Sequence, residues 1–229
     1  MVQELIPIKL ALPYRTGNVN CYLVKTDTGF ILVDTGSSKN CKELDSKLEQ
    51  FGCNSGNLRL IILTHGDFDH TGNAAYIRRN FNTKIAMHSE DSQIVERGHM
   101  FLNRKKGNFF QNWIIKTLVR FGKSQRFTPD LYITSEFTLS EYGLNAEVIH
   151  IPGHSKGSIG ILTADGKLFC GDLLANSDKI DKPTINPIMD DVETANRSIE
   201  MLKNLKVDIV YPGHGKPFTM NSFLTQLNN

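Results

Sequence analysis

The strongest constraint on the fold of this chain is an apolar run that ends in a turn crowded with polar side chains. The run Leu58–Leu63 is rich in leucine and isoleucine, and the sequence Thr-His-Gly-Asp-Phe-Asp-His-Thr-Gly follows it at positions 64–72. In α/β proteins, a buried strand that ends in such a turn usually delivers functional residues. The run therefore predicts a strand of an α/β fold with a site at its carboxyl end.

Four side chains of this turn are able to bind a metal ion: His65, Asp67, Asp69 and His70. Two imidazoles and two carboxylates this close together would repel or stay unpaired unless a cation neutralised them. The competing interpretation is a solvated acidic loop with two incidental histidines. The turn therefore predicts metal binding, with the solvated loop as the alternative.

The composition is that of an ordinary globular protein. The chain has 229 residues, of which 40% are hydrophobic and 22% charged, and its net charge is +2. This length fits one sizeable domain, and the charge alone does not indicate nucleic-acid binding. No apolar stretch approaches the roughly 20 residues that span a bilayer. We therefore expect no transmembrane segment and no nucleic-acid partner, and the oligomeric state stays open.

Two further features bear on the cellular compartment. Residues Met1–Leu12 lack the basic start and the long apolar core of a signal peptide. The four cysteines form no C-x-x-C pair and have no framework spacing. We therefore expect a reduced, cytoplasmic protein with buried thiols.

Two halves of the chain, at about residues 1–96 and 131–229, have a similar order of predicted elements. Each half runs as a hairpin, an acidic strand end, a helix, a strand and a histidine turn. In the first half, Ser38 and Ser89 are the predicted N-caps of two helices. Two such halves predict two packed sheets with helices on their outer faces. The expected fold is a four-layer α/β/β/α sandwich in a single domain spanning residues 1–229, with both ligand sets at one edge.

The segment between the halves, at about residues 97–130, has a different character. Between positions 97 and 129 there are eight basic residues and no acidic ones, interleaved with aromatic and aliphatic side chains. Phe110, Trp113 and Phe121 fall on one face of a predicted helix. Three interpretations stay open: an ordinary amphipathic helix with a solvated basic face, a lid that steers an anionic substrate, and attachment to an acidic membrane surface.

Three more candidate ligands lie in the second half of the chain. His154 belongs to the sequence Pro-Gly-His-Ser, Asp172 follows a glycine at a predicted strand end, and His214 belongs to Pro-Gly-His-Gly. Histidine and aspartate in such turns are able to complete a metal site that the first half leaves open.

The spacing within the first turn allows two ions. In an extended loop, residues two apart point the same way, so His65 and Asp67 can face one ion. Asp69 and His70, after a turn, can face a second ion. Asp172 has two carboxylate oxygens and is able to bridge the pair.

Taken together, these motifs resemble the metallo-β-lactamase superfamily. The resemblance is carried by H-x-D-x-D-H at 65–70, P-G-H-S at 152–155, G-D at 171–172 and P-G-H-G at 212–215, with Asp34 at the family's first acidic position. The motifs occur in the family's order and cover most of the chain. The resemblance implies the four-layer sandwich of this family, with the basic helical insert over its active-site edge.

The resemblance also implies a metallohydrolase with two divalent metal ions in a cleft at that edge. The seven candidates would divide between the ions as His65, Asp67 and His154 at the first, Asp69, His70 and His214 at the second, and Asp172 at both. Two such ions hold a hydroxide that attacks a carbonyl or phosphoryl group. Asp69 and Asp172 would act as catalytic residues that orient this metal-bound hydroxide.

Asp34 is assigned by the same resemblance to a supporting position. Its carboxylate would orient a ligand histidine through the ring N–H. Capping of its own turn is an equally simple role for Asp34. Tyr22, Asn176 and the loop that extends to Met189 are expected to contact the substrate, because loops at this edge supply specificity.

The chain departs from the family at position 67, where the commoner residue is histidine. The carboxylate of Asp67 is a harder ligand than imidazole, and it favours iron or manganese relative to zinc. Alternatively, Asp67 does not reach the ion, which would leave a single metal. We expect a dinuclear site whose metal is zinc, iron or manganese.

The leading functional prediction is hydrolysis of a small ester, thioester or lactone. The basic residues in the insert leave hydrolysis of a small phosphodiester as an alternative function. Asp67 leaves a second alternative, a di-iron redox protein that works with a separate electron donor. A non-catalytic metal-binding protein is the weakest alternative, because structural metal sites are usually closed by protein ligands.

Overall fold

The computed structural model describes residues 4–12, 17–100, 122–134 and 137–227, and in these ranges most strands belong to two six-stranded sheets. The first sheet contains strands β1 to β6 in chain order, at Glu4–Ala11, Asn18–Thr26, Gly29–Val33, Leu58–Ile62, Lys84–His88 and Leu131–Ile133. The second contains β7 Phe137–Thr138, β8 Ala146–His150, β9 Ile159–Thr163, β10 Lys167–Gly171, β13 Ile209–Pro212 and β14 Phe218–Thr219. A small separate ribbon pairs β11 Leu174–Ala175 with β12 Thr184–Ile185.

The helices are amphipathic and lie in the connections between strands. Their bounds are α1 Cys41–Gln50, α2 Phe68–Thr71, α3 Ala74–Phe81, α4 Ser89–Arg97, α5 Val192–Lys203 and α6 Met220–Leu227. In α1, for example, Leu44 and Leu48 are one helical turn apart and both are buried. The helices therefore present apolar stripes that require a sheet to cover them.

The two sheets repeat one topological pattern. In the first sheet, the β2–β3 hairpin is antiparallel and β4 returns parallel to β3 after α1. In the second sheet, the β9–β10 hairpin is antiparallel and β13 returns parallel to β10 after α5. Both crossovers bring a histidine turn to the carboxyl end of the returning strand.

Three apolar clusters separate four layers. One cluster joins α1 and α3 to the outer face of the first sheet, through Leu44, Ile77 and Leu23, for example. A second lies between the sheets and includes Phe169, and a third joins α5 and α6 to the second sheet. The predicted α/β/β/α sandwich is confirmed, because each sheet buries both of its faces.

Two predicted helix caps are wrong. Ser38 begins a short 3₁₀ turn, Ser38–Asn40, and the N-cap position of α1 is Asn40. The cap of α4 is His88, whose ring accepts a hydrogen bond from the backbone N–H of Glu90. His88 takes the N-cap position that was expected for Ser89, because β5 runs directly into α4 without an intervening loop.

Most of the predicted basic helix, at positions 101–121, lies outside the described residues. The helical insert and its place over the active-site edge therefore stay predictions, as does the division of one domain into two repeated halves. Within the described part of the chain, no helix combines the length and the apolar character needed to span a bilayer. The four cysteines are free, and Cys21, Cys53 and Cys170 are buried, as expected.

Candidate metal centre

The seven candidate ligands come together at one edge of the sandwich, although they are far apart in the chain. The turn after β4 and the short helix α2 carry four of them, and loops or strand ends of the second sheet carry His154, Asp172 and His214. All except His214 are buried, with at most 8% of their surface exposed. Each sheet therefore supplies part of one polar cluster.

The first group of ligand atoms surrounds the point where Asp67 meets two histidines. Asp67 Oδ2 lies 3.1 Å from His154 Nε2 and 3.7 Å from His65 Nε2. Ligand atoms of His65, His154 and Asp172 all lie within 4.8 Å of one another. Asp67 is thus close enough to face the same ion as these histidines.

The second group lies beside the first and shares Asp172 with it. Ligand atoms of Asp69, His70 and His214 lie within 4.8 Å of one another. His214 Nε2 is 3.5 Å from Asp69 Oδ2 and 3.2 Å from Asp172 Oδ2, and Asp172 Oδ1 is 3.3 Å from His70 Nε2. Asp172 lies between the two groups, with one oxygen towards His70 and the other towards His214 and His154.

Several buried atoms of the cluster make no hydrogen bond, as expected of atoms that bind metal ions. Among the described residues, His65 Nε2, His70 Nε2 and Asp172 Oδ1 are buried and accept or donate no hydrogen bond. A buried polar atom without a partner is unfavourable by about 1–3 kcal/mol. Three such atoms directed at one cluster of imidazoles and carboxylates are explained if cations bind there.

The opposite nitrogens of these histidines are held by the protein. His154 Nδ1 donates to the carbonyl oxygen of Ile188 at 2.6 Å, and His214 Nδ1 donates to that of Asn18 at 2.7 Å. A carbonyl oxygen only accepts, so each bond places a proton on Nδ1. Nε2 of both rings therefore faces the ligand cluster, and it binds a metal when it carries no proton of its own.

Asp34 orients the remaining two histidines with a single carboxylate. Its Oδ2 accepts from His70 Nδ1 at 2.8 Å and from the Thr64 hydroxyl at 2.8 Å, and its Oδ1 accepts from the Thr64 backbone N–H. The Thr64 oxygen in turn lies 3.0 Å from His65 Nδ1 and accepts its proton. Asp34 therefore acts on His70 directly and on His65 through Thr64.

The charges of the cluster perturb its titration in both directions. Burial and the neighbouring His70 ring hold the pKa of His65 well below its ordinary value. Burial also opposes protonation of His214, but Asp172 outweighs it and raises the pKa of His214 to about 9. Burial raises the pKa of Asp69, whereas for Asp172 the charges of His214 and His70 outweigh burial and hold the pKa well below its usual range.

Glycine at position 213 is required by close packing against two candidate ligands. A Cβ built on Gly213 would lie 2.2 Å from Asp172 Oδ1 and 2.6 Å from the His70 ring. Real Cβ atoms do not approach that closely. The glycine of the Pro-Gly-His-Gly turn therefore leaves the space that the ligand cluster occupies.

The cluster forms the floor of an open cavity of about 460 Å³. Its walls combine apolar side chains of Leu12, Phe68 and Met100 with the polar side chains of Asn176 and Asn186. Asn176 lines this cavity, and its contact with a substrate stays a prediction. The same prediction is wrong for Tyr22, which is buried between the sheets with its hydroxyl donating to the carbonyl oxygen of Pro212.

Sequence reasoning missed Asp91, a carboxylate that is 1% exposed beneath the first ligand group. Its oxygens accept hydrogen bonds from the backbone N–H groups of Gly66 and Gly157 and from the hydroxyl of Ser155. An acidic residue in the first turn of a helix is ordinary, and its partners lie 25 to 66 positions away. The sequence therefore contained no local signal for it.

Comparison with known proteins connects this geometry to a family. The family profile described as "Metallo-beta-lactamase superfamily" matches residues 14–214. The probable metallo-hydrolase YqjP of Bacillus subtilis is 28% identical over 245 residues, covering 95% of this chain and 73% of YqjP. The acyl-coenzyme A thioesterase MBLAC2 of Homo sapiens is 27% identical over 225 residues, covering 90% of this chain and 76% of that protein.

A bacterial relative and two crystal structures extend the comparison. The hydroxyacylglutathione hydrolase GloC of Haemophilus influenzae is 28% identical over 168 residues, covering 71% of this chain and 70% of GloC. BLEG-1 B3 metallo-beta-lactamase has a TM-score of 0.71 at 22% identity, covering 96% of this chain and 95% of that one. TTHA1623 in a di-iron-bound form has a TM-score of 0.70 at 23% identity, covering 94% and 95%. The match of the family profile over most of the sequence, on a chain with this fold, means that the protein belongs to the metallo-beta-lactamase superfamily.

Proposed function

We propose that this metallohydrolase hydrolyses a small ester, thioester or lactone by attack of water on its acyl carbonyl, which breaks the acyl C–O or C–S bond, with a thioester as the preferred class. The observation that carries the proposal is the convergence of seven histidine and aspartate side chains, five of which line the floor of an open cavity and three of which have buried atoms without a hydrogen bond. Such a floor is able to hold ions while leaving coordination positions open to a substrate.

The residues divide between two proposed metal positions in the same way as their atoms cluster. The assignment is His65, Asp67 and His154 at the first position, Asp69, His70 and His214 at the second, and Asp172 at both. When bound, the two ions would lower the pKa of a water molecule and polarise the carbonyl under attack.

The protein's own groups prepare this chemistry before substrate arrives. Carbonyl oxygens fix the rings of His154 and His214, and Asp34 fixes the ring of His70, so their Nε2 atoms need no reorganisation on binding. Asp69 and Asp172 are proposed to orient the attacking water. Asp172 contacts histidines of both groups, and the Asp69 carboxylate lies 3.5 Å from His214 in the second group.

Thioester specificity is supported by the relatives rather than by the floor of the site. MBLAC2 is named as an acyl-coenzyme A thioesterase, and GloC is named as a hydroxyacylglutathione hydrolase. The cavity walls suit an acyl chain on the apolar side, at Phe68 and Met100, and a polar leaving group near Asn176. The predicted anionic character of the substrate rests on the basic residues at 97–130, most of which lie outside the described residues, and stays a prediction.

The metal is proposed to be iron or manganese, with zinc as the alternative. Asp67 adds a hard, charged oxygen where histidine is commoner in the family, and oxygen ligands favour iron and manganese over zinc. TTHA1623, a protein of the same fold, is described in a di-iron-bound form. A reduced compartment would suit such ions and the four free cysteines.

Elemental analysis combined with a substrate panel tests the proposal. Protein purified without added metal should contain two ions per chain, and metal-loaded protein should hydrolyse at least one acyl thioester. His65→Ala and Asp172→Ala should each lower kcat/KM by at least about a hundredfold, since each removes a ligand. His150→Ala is the matched control, because this histidine lies outside the cluster and stacks on His88.

Two results would contradict the assignment. Retained hydrolysis in His65→Ala and Asp172→Ala would exclude this cluster as the active site. Two irons per chain without hydrolysis of any ester, thioester or lactone would favour the di-iron redox alternative instead.

A further inference from the structure

We propose that Asp91 is a positioning residue for the first metal position, the one assigned to His65, Asp67 and His154. This inference rests on the proposed metal centre but not on the identity of the substrate. The hydrogen bonds of Asp91 go to Gly66, Ser155 and Gly157, which lie beside the candidate ligands in the chain. Asp91 therefore acts on the backbone segments that carry them.

The three hydrogen bonds of Asp91 join two segments from different sheets. One oxygen, Oδ2, accepts from the backbone N–H of Gly66 at 2.9 Å and from the hydroxyl of Ser155 at 2.7 Å. The other, Oδ1, accepts from the backbone N–H of Gly157 at 2.9 Å. Gly66 lies between His65 and Asp67, and Ser155 follows His154 directly, so one buried carboxylate fixes both ligand turns.

The packing around Asp91 matches this role. A Cβ added to Gly157 would lie 2.8 Å from the Cβ and Cγ atoms of Asp91, so only glycine brings its N–H to the carboxylate. Asp91 is 1% exposed and Ser155 is 2% exposed, so water does not replace either partner readily. A neutral amide at position 91 would bring an N–H₂ group towards at least one of the three donors.

The second metal position has its own support, which does not involve Asp91. Asp34 holds the ring of His70, and the carbonyl oxygen of Asn18 holds the ring of His214. The two buried carboxylates therefore support the metal positions in different ways. Asp91 holds the backbone that carries ligands of the first metal position. Asp34 orients histidine rings, one of which, His70, is a ligand of the second metal position. Loss of Asp91 should consequently affect one ion more than the other.

Co²⁺ binding in two single-site backgrounds tests this separation. His214→Ala removes a ligand of the second position and leaves the first, whereas His154→Ala does the reverse. Binding of Co²⁺ to the full chain is followed by its visible absorption and by competition with a chelator. Asp91→Asn should weaken Co²⁺ binding by about 10–100-fold in the His214→Ala background, the usual effect of losing an outer partner. It should leave binding in the His154→Ala background unchanged.

Equal weakening in both backgrounds, or no weakening in the His214→Ala background, would overturn the proposal and leave Asp91 as a purely structural residue that joins two loops. If Asp91→Asn does not fold, Ser155→Ala replaces it, since it removes only one of the three contacts. A smaller loss confined to the same background is then expected, and its absence would contradict the proposal. Failure of every thioester assay would refute the proposed function without changing this result.

Discussion

Asp34 occupies a backbone conformation that L-amino acids usually avoid. Its φ is 58°, and Asn82 is the only other non-glycine with a positive φ among the residues described. The left-handed region is unfavourable for a side chain by about 1–2 kcal/mol, although aspartate and asparagine tolerate it best. The residue is retained because its carboxylate accepts from His70 and from Thr64, which glycine at this position would leave without a partner.

The variant Asp34→Gly separates the effect of the positive φ at this position from the effect of the carboxylate on metal binding. The substitution relieves the strained φ, so we expect a modest change in the free energy of unfolding. Metal affinity should nevertheless fall by about 10–100-fold, because His70 loses its acceptor and Thr64, which orients His65, loses the carboxylate that fixes it. Chelator competition and thermal unfolding measure the two effects.

Asn82→Gly is the matched control for this experiment. Asn82 also has a positive φ, 48°, but it ends α3 outside the metal centre. This variant should leave metal affinity unchanged. An equal loss of affinity in both variants would mean that Asp34 acts only through general stability.

At the scale of elements, each histidine turn depends on a glycine that allows close packing. Gly213→Ala would force a methyl group into the space of Asp172 and His70, which β10 and α2 hold in place. We expect destabilisation of about 1–3 kcal/mol from overpacking and loss of at least one bound ion. Gly56→Ala is the control, since its Cβ would meet only the side-chain oxygen of Asn54 at 3.3 Å. Full metal content in Gly213→Ala would show that the turn adapts.

The helices, strands and loops also differ in how far the sequence alone predicts them. The strand before His65 and the helix that carries Leu44 and Leu48 were predictable, because their apolar periodicity is local. The cap at His88 and the contacts of Asp91 were not predictable, because they depend on how β5 enters α4 and on which loops pack above it. Local signals locate the ligand turns, whereas the groups that support them come from tertiary packing.

At the scale of the whole molecule, metal ions and protons compete for the same side chains. In the protein alone, Asp172 raises the pKa of His214 to about 9 from an ordinary 6.5, so binding an ion at neutral pH must displace a proton. Apparent metal affinity should therefore increase as pH rises towards 9. Without metal, a raised folded-state pKa stabilises the fold fully below 6.5, and this contribution is lost as pH rises through about 9.

Thermal unfolding in the presence and absence of chelator tests both signs. Chelated protein should lose stability between pH 6.5 and pH 9, and metal-loaded protein should lose less or gain. His214→Ala should reduce the pH dependence of the chelated form. A chelated wild type with constant stability across this range would contradict the assigned charge of His214.

The division of the candidate ligands between two sheets has a consequence for the life of the protein in a cell. Metal ions bound between the two sheets would link one half of the sandwich to the other, and they would stabilise only the folded chain. When the metal is scarce, the chain opens more often and proteases cut it sooner. The abundance of the protein would then follow the supply of its metal, without a dedicated regulator.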